Sequence, residues 1–167
     1  MSTMSGEDGV TSQYMGFRLG EEDYAVHILR VKEIIAYSPV TQVPGMPQVV
    51  LGVINLRGKV VPVVDLARKF GLPPRPVTKW SCIVIVEADM GSGRVEVGIL
   101  TDAVSQVLDL APRDIEPPPA FGTRVRVDYL EGLGRQEGGF VLLLNLDRLL
   151  SVSELMAVST VAEEQAT

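Results

Sequence analysis

The segment that says most about the architecture reads Asn55-Leu56-Arg57-Gly58-Lys59-Val60-Val61-Pro62-Val63-Val64-Asp65-Leu66. Two apolar runs rich in β-branched residues, 49–56 and 60–64, flank a short glycine-containing connection, which is typical of a β-hairpin. Pro62 has no amide to donate, so its strand is expected at a sheet edge or with a bulge there. Asp65 is predicted to cap a short helix over 66–70, because its carboxylate can accept from free amides.

Similar patterns extend outward from this hairpin in both directions. Apolar residues alternate with polar ones, or form short apolar runs, over 17–28, 82–86, 95–99, 125–129 and 140–144, and these segments are predicted as strands. Clustered prolines at 73–76 and 117–119 predict connecting loops. The apolar spacing of Leu149, Val152 and Met156 predicts a C-terminal helix over 147–158.

The chain resembles itself, which points to an internal duplication. A shift of about 73 residues places Asp23–Val26 on Glu96–Ile99 and Val31 on Val104, and a shift of about 80 places Val64-Asp65-Leu66 on Leu144-Asn145-Leu146. Two halves of short strands favour two small barrels, because closure removes free sheet edges.

Composition excludes several classes of protein. The 167 residues are 46% hydrophobic and 22% charged, which suits one domain or two small ones with a buried core. A net charge of −6 argues against nucleic-acid binding. A single Cys excludes a disulfide framework, and one Cys with one His argues against a Cys/His metal cluster. The start of the chain is acidic, and no apolar run has the length of a membrane span, so a cytoplasmic protein is expected.

Few residues carry an enzymatic signature. No glycine loop has phosphate-binding spacing, and Asp65, Asp102 and Asp109 are expected to be structural caps and turn residues. His27 is expected to be a surface or satisfied histidine. Arg57 at the hairpin tip is either a solvated turn residue or a guanidinium presented to a partner, and the spacing does not choose between them. No strand register buries every apolar residue of 31–35, so at least one should be exposed.

The quoted hairpin resembles the signature of CheW-like domains, which reads NLRG, three residues, then PVVDL. Tyr24–Ile34 is similar to the preceding family segment, and Asp102–Leu108 and Tyr129–Gly134 are similar to later ones. The likeness covers roughly residues 14–157. Ile35-Ala36 and Gly45-Met46-Pro47 depart from the family pattern.

This resemblance implies an all-β fold of two SH3-like five-stranded β-barrels plus a C-terminal helix. The expected organisation is a disordered arm over 1–13, a domain over 14–158 and a frayed tail over 159–167. Within the domain, subdomain 1 is expected over 14–80, subdomain 2 over 81–146 and the helix over 147–158.

The resemblance also implies a function without catalysis, cofactor or metal. Members act as adaptors that join the cytoplasmic tips of chemoreceptors to the CheW-like regulatory domain of the histidine kinase CheA. The protein is expected in the cytoplasm, associated with receptor arrays at the membrane through these partners.

Family positions carry over residue by residue to three groups. The positions linked to receptor contact are Val31, Glu33, Ile34, Arg57, Val104 and Val107. The positions expected to face the kinase are Val40, Val43, Met46 and Gly52, of which the first three are placed only by region. The positions with structural or coupling roles are Asn55, Gly58, Asp65 and Gly132.

Three other interpretations stay open at this point. The chain could be a paralogous coupling protein of a pathway for pili, gliding or development. A small-molecule-binding β-barrel would require an enclosed apolar pocket, and an enzyme would require a cleft with convergent titratable groups.

Overall fold

The computed structural model of the chain describes residues 10–89, 93–118 and 127–150, and it is built mainly of β-strands. The described residues form eleven strands, two short α-helices and three turns of 3-10 helix. The strands are β1 Ser12–Leu19, β2 Glu22–His27, β3 Val31–Ala36, β4 Val50–Leu56, β5 Lys59–Val64, β6 Cys82–Asp89, β7 Arg94–Thr101, β8 Ala103–Leu110, β9 Ile115–Glu116, β10 Leu130–Gln136 and β11 Gly139–Leu144. The helices are α1 Leu66–Lys69 and α2 Leu146–Leu149.

The strands form two sheets. The five-stranded sheet has the order β3-β6-β7-β5-β4, and the six-stranded sheet has the order β8-β1-β2-β11-β10-β9. Each sheet is antiparallel except at one pair, β5 with β7 in the first and β11 with β2 in the second. The two sheets therefore repeat one topology, which agrees with the duplication inferred from the sequence.

The sheets differ from the expected division at residue 80, because the two halves exchange hairpins. β1 and β2 belong to the first half of the chain but join the six-stranded sheet, and β6 and β7 from the second half join the five-stranded sheet. Neither sheet is thus a continuous segment over 14–80 or 81–146. Ser12 and Gln13, expected in the disordered arm, belong instead to β1 and pair with β8. Residues 1–9 and the tail over 159–167 lie outside the described residues.

The chain itself links the two edges of each sheet. Thr41, which follows β3, exchanges two backbone hydrogen bonds of 2.9 Å with Val53 of β4 at the opposite edge. In the other half, β9 follows β8 and pairs with β10. Within the described residues, no direct pairing joins β3 to β4 or β8 to β10, so a continuous ladder does not close either sheet.

Side chains fill three apolar clusters, one inside each sheet and one between the sheets. Along β6, Ile83 and Ile85 face the interior of the five-stranded sheet, and Val84 and Val86 face the shared cluster. Leu142 and Leu143 of β11 divide in the same way between the shared cluster and the interior of the six-stranded sheet. Strands buried on both faces explain the continuous apolar runs in the sequence.

The prediction for Pro62 was wrong. β5 lies between β4 and β7, not at an edge, and its register with β4 shifts opposite Val64 and Val63, one residue beyond the proline and not at it. Pro62 sits opposite Val53, whose amide and carbonyl are directed to Thr41, so this pair needs no donor from the proline. The parallel pairing of β5 with β7 begins only at Val63.

Two other predicted elements differ from the structure. Val127–Tyr129 form a turn of 3-10 helix instead of a strand, and Val125 lies outside the described residues. The C-terminal helix begins at Leu146, after its cap Asn145, and Leu150 already has extended backbone angles. The rest of the helix predicted over 147–158 lies outside the described residues. None of the helices described is long and apolar enough to cross a membrane.

Candidate functional site

The tip of the β4–β5 hairpin is fixed by its own residues. Arg57 has φ +52° and Gly58 has φ +85°, a combination that belongs to the tight turns favoured between twisted antiparallel strands. The side-chain oxygen of Asn55 accepts a hydrogen bond of 2.9 Å from the Gly58 amide. Asn55 and Gly58, predicted to be structural, thus hold the backbone from which Arg57 projects.

Arg57 pairs with Glu33 of β3 through two hydrogen bonds. Nη1 lies 3.2 Å from Oε2, and Nη2 contacts Oε1. The Arg57 side chain is 70% exposed, and the Glu33 side chain is 30% exposed. Two of the five guanidinium N–H donors are thereby used. Arg57 is therefore neither a simple solvated turn residue nor an unpaired guanidinium.

This ion pair changes the protonation behaviour of both groups. Hydrogen bonds from Arg57 lower the pKa of the Glu33 carboxyl below its ordinary value, and the reciprocal contact raises the pKa of Arg57. Glu33 is thus a carboxylate at neutral pH, and the pair offers a partner an oriented set of charges.

The register of β3 with β6 shifts between Val31 and Glu33, so Val31 and Ile34 lie opposite Val86 and Val84, whereas Glu33 and Ile35 lie opposite Ile85 and Ile83. Val31, Glu33 and Ile35 are half-buried, while Lys32, Ile34 and Ala36 are exposed. Ile34 is 38% exposed, which confirms that this segment cannot bury all its apolar residues.

The other two receptor-linked positions lie on β8, at the edge of the other sheet. Val104 is half-buried against the shared cluster, as Val31 is, and Val107 is 43% exposed. The internal shift of 73 residues relates Val31 to Val104 and Ile34 to Val107. The structure therefore brings together Glu33, Ile34 and Arg57 on one sheet, and places Val104 and Val107 at equivalent positions on the other.

Positions expected to face the kinase follow β3 or lie in β4. Val40 packs against the interior cluster of the five-stranded sheet, Met46 packs against the shared cluster, and Val43 is half-buried. Gly52 is buried, so a role in kinase binding would be indirect.

Gly52 and Gly132 permit a close approach of backbone. A Cβ atom on Gly52 would lie 2.2 Å from the carbonyl oxygen of Thr41, and one on Gly132 would lie 2.7 Å from that of Glu116. Both glycines stand at a register shift in their hairpin. They let the chain that leaves one sheet edge bond to the other edge.

Three cavities can be described by the residues that line them. One of about 420 Å³ is lined by His27, Arg30, Glu131 and Asp147, another of about 460 Å³ lies beside Glu21 and Arg75, and a third of about 230 Å³ lies under the proline-rich connector. The first holds several titratable groups, but Arg30 is paired with Asp147 there. Across the described part of the chain, no three His, Cys, Asp or Glu side chains group as metal ligands.

Other sequence predictions concern His27 and Asp65. His27 accepts a hydrogen bond of 3.3 Å at Nδ1 from the Leu29 amide, as expected of a satisfied histidine. Asp65 caps α1, because its carboxylate accepts a hydrogen bond of 3.1 Å from the Ala67 amide.

Sequence reasoning missed several exposed apolar side chains. They are Leu29, Val60, Val77, Trp80 and Phe140. Val60 and Phe140 are related by the shift of 80 residues, and this shift was the only signal that could have paired them.

Comparisons with known proteins identify the family. Residues 13–154 match the CheW-like domain. This chain belongs to that family. It is 35% identical over 163 residues to the chemotaxis protein CheW of Klebsiella aerogenes, an alignment that covers 98% of this chain and 95% of that protein. It is 27% identical over 151 residues to the protein FrzA of Myxococcus xanthus, covering 88% of this chain and 90% of FrzA.

A solved structure supports the same conclusion. The scaffolding protein TtCheW from Thermoanaerobacter tengcongensis matches with a TM-score of 0.78 and 33% sequence identity, over 87% of this chain and 91% of that one. The resemblance stated from the hairpin signature is confirmed, and so is the mainly β fold in two sheets. The chain is a coupling scaffold of chemotaxis signalling.

Proposed function

We propose that this protein joins the cytoplasmic tips of chemoreceptors to the regulatory domain of a CheA-type histidine kinase, and that it catalyses no reaction. The observation that carries the proposal is the group of Glu33, Ile34 and Arg57. It combines an exposed apolar side chain with an oriented ion pair on the edge strand and hairpin tip of one rigid sheet.

A receptor tip is helical in this proposal, and a helix docks through apolar anchors flanked by charges. Ile34 supplies the anchor, and Val31 beside it continues the apolar surface. The Arg57 donors that Glu33 does not use remain for a carboxylate on the receptor. Val104 and Val107 on the other sheet extend the proposed receptor surface.

A separate surface is required for the kinase. The segment from Val40 to Met46 lies between β3 and β4, and Gly52 positions it by admitting Thr41 against β4. We place the kinase contact on this segment, with Val43 as its apolar centre. In this arrangement the protein acts in receptor arrays at the inner membrane surface through its partners.

The two competing functions are less well supported. A small-molecule-binding barrel needs interior space, but Ile54, Val61, Ile83 and other side chains fill the five-stranded sheet. An enzyme needs uncommitted acid and base groups, and the charged residues of the 420 Å³ cavity include the Arg30–Asp147 pair.

The similarity to FrzA keeps one alternative in the same functional class. A coupling protein of a non-flagellar pathway would use the same surfaces with other receptors. A binding assay with receptor tips from both kinds of pathway separates these two possibilities.

The direct test is reconstitution of receptor fragment, kinase and this protein, with kinase phosphorylation as the measured quantity. The intact protein should make kinase activity respond to the receptor. Arg57→His should weaken that response and leave the melting temperature nearly unchanged, because an exposed ion pair adds little stability.

Lys59→Gln is the matched control, because Lys59 lies in the same hairpin and pairs with Glu96 instead of Glu33. An unaltered response in Arg57→His would remove Arg57 from the receptor surface. No response with the intact protein would overturn the proposed function itself.

A further inference from the structure

Two crossovers carry the chain between the sheets, and each is held by an arginine–aspartate pair. Asp102 is the single residue between β7 of the five-stranded sheet and β8 of the six-stranded sheet. Ile28–Arg30 form the turn between β2 of the six-stranded sheet and β3 of the five-stranded sheet. These are the points at which the relative position of the sheets can be fixed.

The first pair, Arg75–Asp102, ties the connector after α1 to the β7–β8 crossover. Nε of Arg75 lies 2.9 Å and 2.7 Å from the two carboxylate oxygens of Asp102. Asp102 Oδ2 also accepts a hydrogen bond of 2.7 Å from the Gly20 amide in the β1–β2 turn. Nη2 of Arg75 lies 3.9 Å from Oδ1 of Asp65, which follows β5. The pair thus reaches residues of both sheets.

The second pair, Arg30–Asp147, does the same at the β2–β3 crossover. Arg30 contacts the Asp147 carboxylate and also donates a hydrogen bond of 2.6 Å to the carbonyl oxygen of Glu87 in β6. The other carboxylate oxygen of Asp147 accepts a hydrogen bond of 2.9 Å from the Asp89 amide at the end of β6. Asp147 lies in α2, directly after the six-stranded sheet, so this pair also spans the two sheets.

The two crossovers are related by the internal duplication, but the two pairs occupy non-equivalent positions and have opposite polarity. At the β7–β8 crossover the aspartate lies on the crossing segment, and at the β2–β3 crossover the arginine does. In both, the carboxylate accepts from a backbone amide of the exchanged hairpin, Gly20 or Asp89. The arginine side chains are well covered, at 16% exposed for Arg75 and 22% for Arg30. Charge-assisted hydrogen bonds are strong and directional in such surroundings.

We infer that the Arg75–Asp102 and Arg30–Asp147 pairs are positioning elements that set the angle between the two sheets, and that receptor control of the kinase depends on this angle. The inference rests on the proposed function, in which the receptor and the kinase bind different parts of the molecule. Neither pair belongs to the surfaces proposed for these partners. The proposed receptor surface spans both sheets, with Ile34 on one and Val107 on the other, whereas the proposed kinase segment belongs to the five-stranded sheet. Breaking a pair should therefore change how Ile34 and Val107 are placed relative to each other and leave the kinase segment intact.

The experiment measures binary affinities and coupled activity in Arg75→Gln and Arg30→Gln. Binding to the kinase regulatory domain alone should stay within about twofold of the intact protein. Binding to the receptor fragment should weaken, and receptor-controlled phosphorylation should fall about fivefold or more. Arg75→Lys, which keeps the charge, should recover part of the response. Arg135→Gln is the control, because its ion pair with Glu116 lies within one sheet.

A second measurement needs no partner. Spin labels at positions 59 and 137, one in the hairpin of each sheet, report the distance between the sheets in a Cys82→Ser background. Arg75→Gln should broaden the distance distribution, and Arg135→Gln should not. If Arg75→Gln fails to fold, Arg75→Lys is measured in its place.

Each other outcome is decisive. An unchanged phosphorylation response, an unbroadened distance distribution, or an equal loss of affinity for the receptor and for the kinase would overturn the positioning role. If the intact protein fails to couple receptor to kinase, the proposed function fails, and the distance measurement still tests whether the pairs fix the sheets.

Discussion

Glu33 is the residue whose importance depends most on its partner. Its resemblance to a receptor-linked family position singled it out, but the sequence does not show that Arg57, 24 residues away, binds it. The pairing requires the fold: β3 and β4 are opposite edges of one sheet, and the hairpin tip of β4 and β5 comes back to β3. Residue types at this site were predictable, and the contact between them was not.

Removing the guanidinium should raise the pKa of Glu33. In the folded protein this pKa lies below the ordinary 4.5 because Arg57 hydrogen-bonds the carboxylate. The stabilisation from the pair is therefore complete above the ordinary carboxyl pKa and is lost as pH falls through the lowered value. A carboxyl NMR titration of Arg57→Gln should show the midpoint of Glu33 moving up.

Lys59→Gln serves as the control for this titration, since Lys59 is bound to Glu96. Its Glu33 midpoint should stay close to that of the intact protein. Equal Glu33 midpoints in Arg57→Gln and the intact protein would show that the pair does not form in solution.

Gly52 has a role that its φ angle alone does not explain. Gly52 and Gly139 both have φ +159°, but a Cβ on Gly52 would meet Thr41 at 2.2 Å, and a Cβ on Gly139 would meet nothing within 4 Å. Gly52→Ala should therefore lower the free energy of unfolding by about 1–3 kcal/mol, the usual cost of overpacking. Chemical denaturation of both variants measures the difference.

Gly139→Ala is a matched control because it shares the backbone conformation and lacks the collision. If the two substitutions cost the same, backbone conformation and not the approach of Thr41 explains the glycine. If Gly52→Ala also reduces kinase binding, the substituted chain should show increased amide exchange at Thr41.

Among the elements, the hairpins and caps followed from local sequence, whereas the element ends did not. The β4–β5 hairpin and the Asp65 cap depend on residues close in sequence, and the structure has both. Pro62 was misplaced because its neighbour Val53 bonds to Thr41, a contact between distant parts of the chain. Val127–Tyr129 alternate like a strand but form a 3-10 turn whose Tyr129 carbonyl accepts from the Asn145 amide.

The contribution of the α1 cap to stability can be measured by substituting Asp65. Asp65 accepts from the Ala67 amide and lies 3.7 Å from Arg68 and 3.9 Å from Arg75. Asp65→Ala should lower the free energy of unfolding by about 0.5–2 kcal/mol, as expected for a lost N-cap. Asp65→Asn should cost less, because an amide oxygen can still accept from Ala67.

Thermal and urea unfolding of both variants measure these costs. A loss in Asp65→Asn as large as that in Asp65→Ala would assign the effect to the two arginines and not to the cap. Asn145→Ala, at the related cap of α2, provides the comparison with a cap that carries no charge.

At the scale of the whole molecule, the duplication was visible in the sequence, but the exchange of hairpins was not. Apolar spacing is the same whether β1 and β2 pair within their own half or with the other half. The choice is made by the shared cluster, in which Phe17 and Tyr24 pack with Leu142 and Leu144 from the second half. The exchange ties the two sheets into one body, which suits a scaffold that binds partners on different surfaces.

This exchange predicts that neither half of the chain folds alone. A fragment of residues 1–80 lacks β6 and β7, so β3 loses its partner β6 and β5 loses its partner β7. A fragment of residues 81–167 lacks β1 and β2, the neighbours of β8 and β11. Each fragment should show little amide protection, and an equimolar mixture should regain the β circular dichroism and cooperative melting of the intact chain. The control is the full-length chain that is folded first and then cleaved between residues 80 and 81, because it contains every strand. A cooperatively folded monomer of residues 1–80 would contradict the exchange, since only a sheet complete within that half could melt in this way.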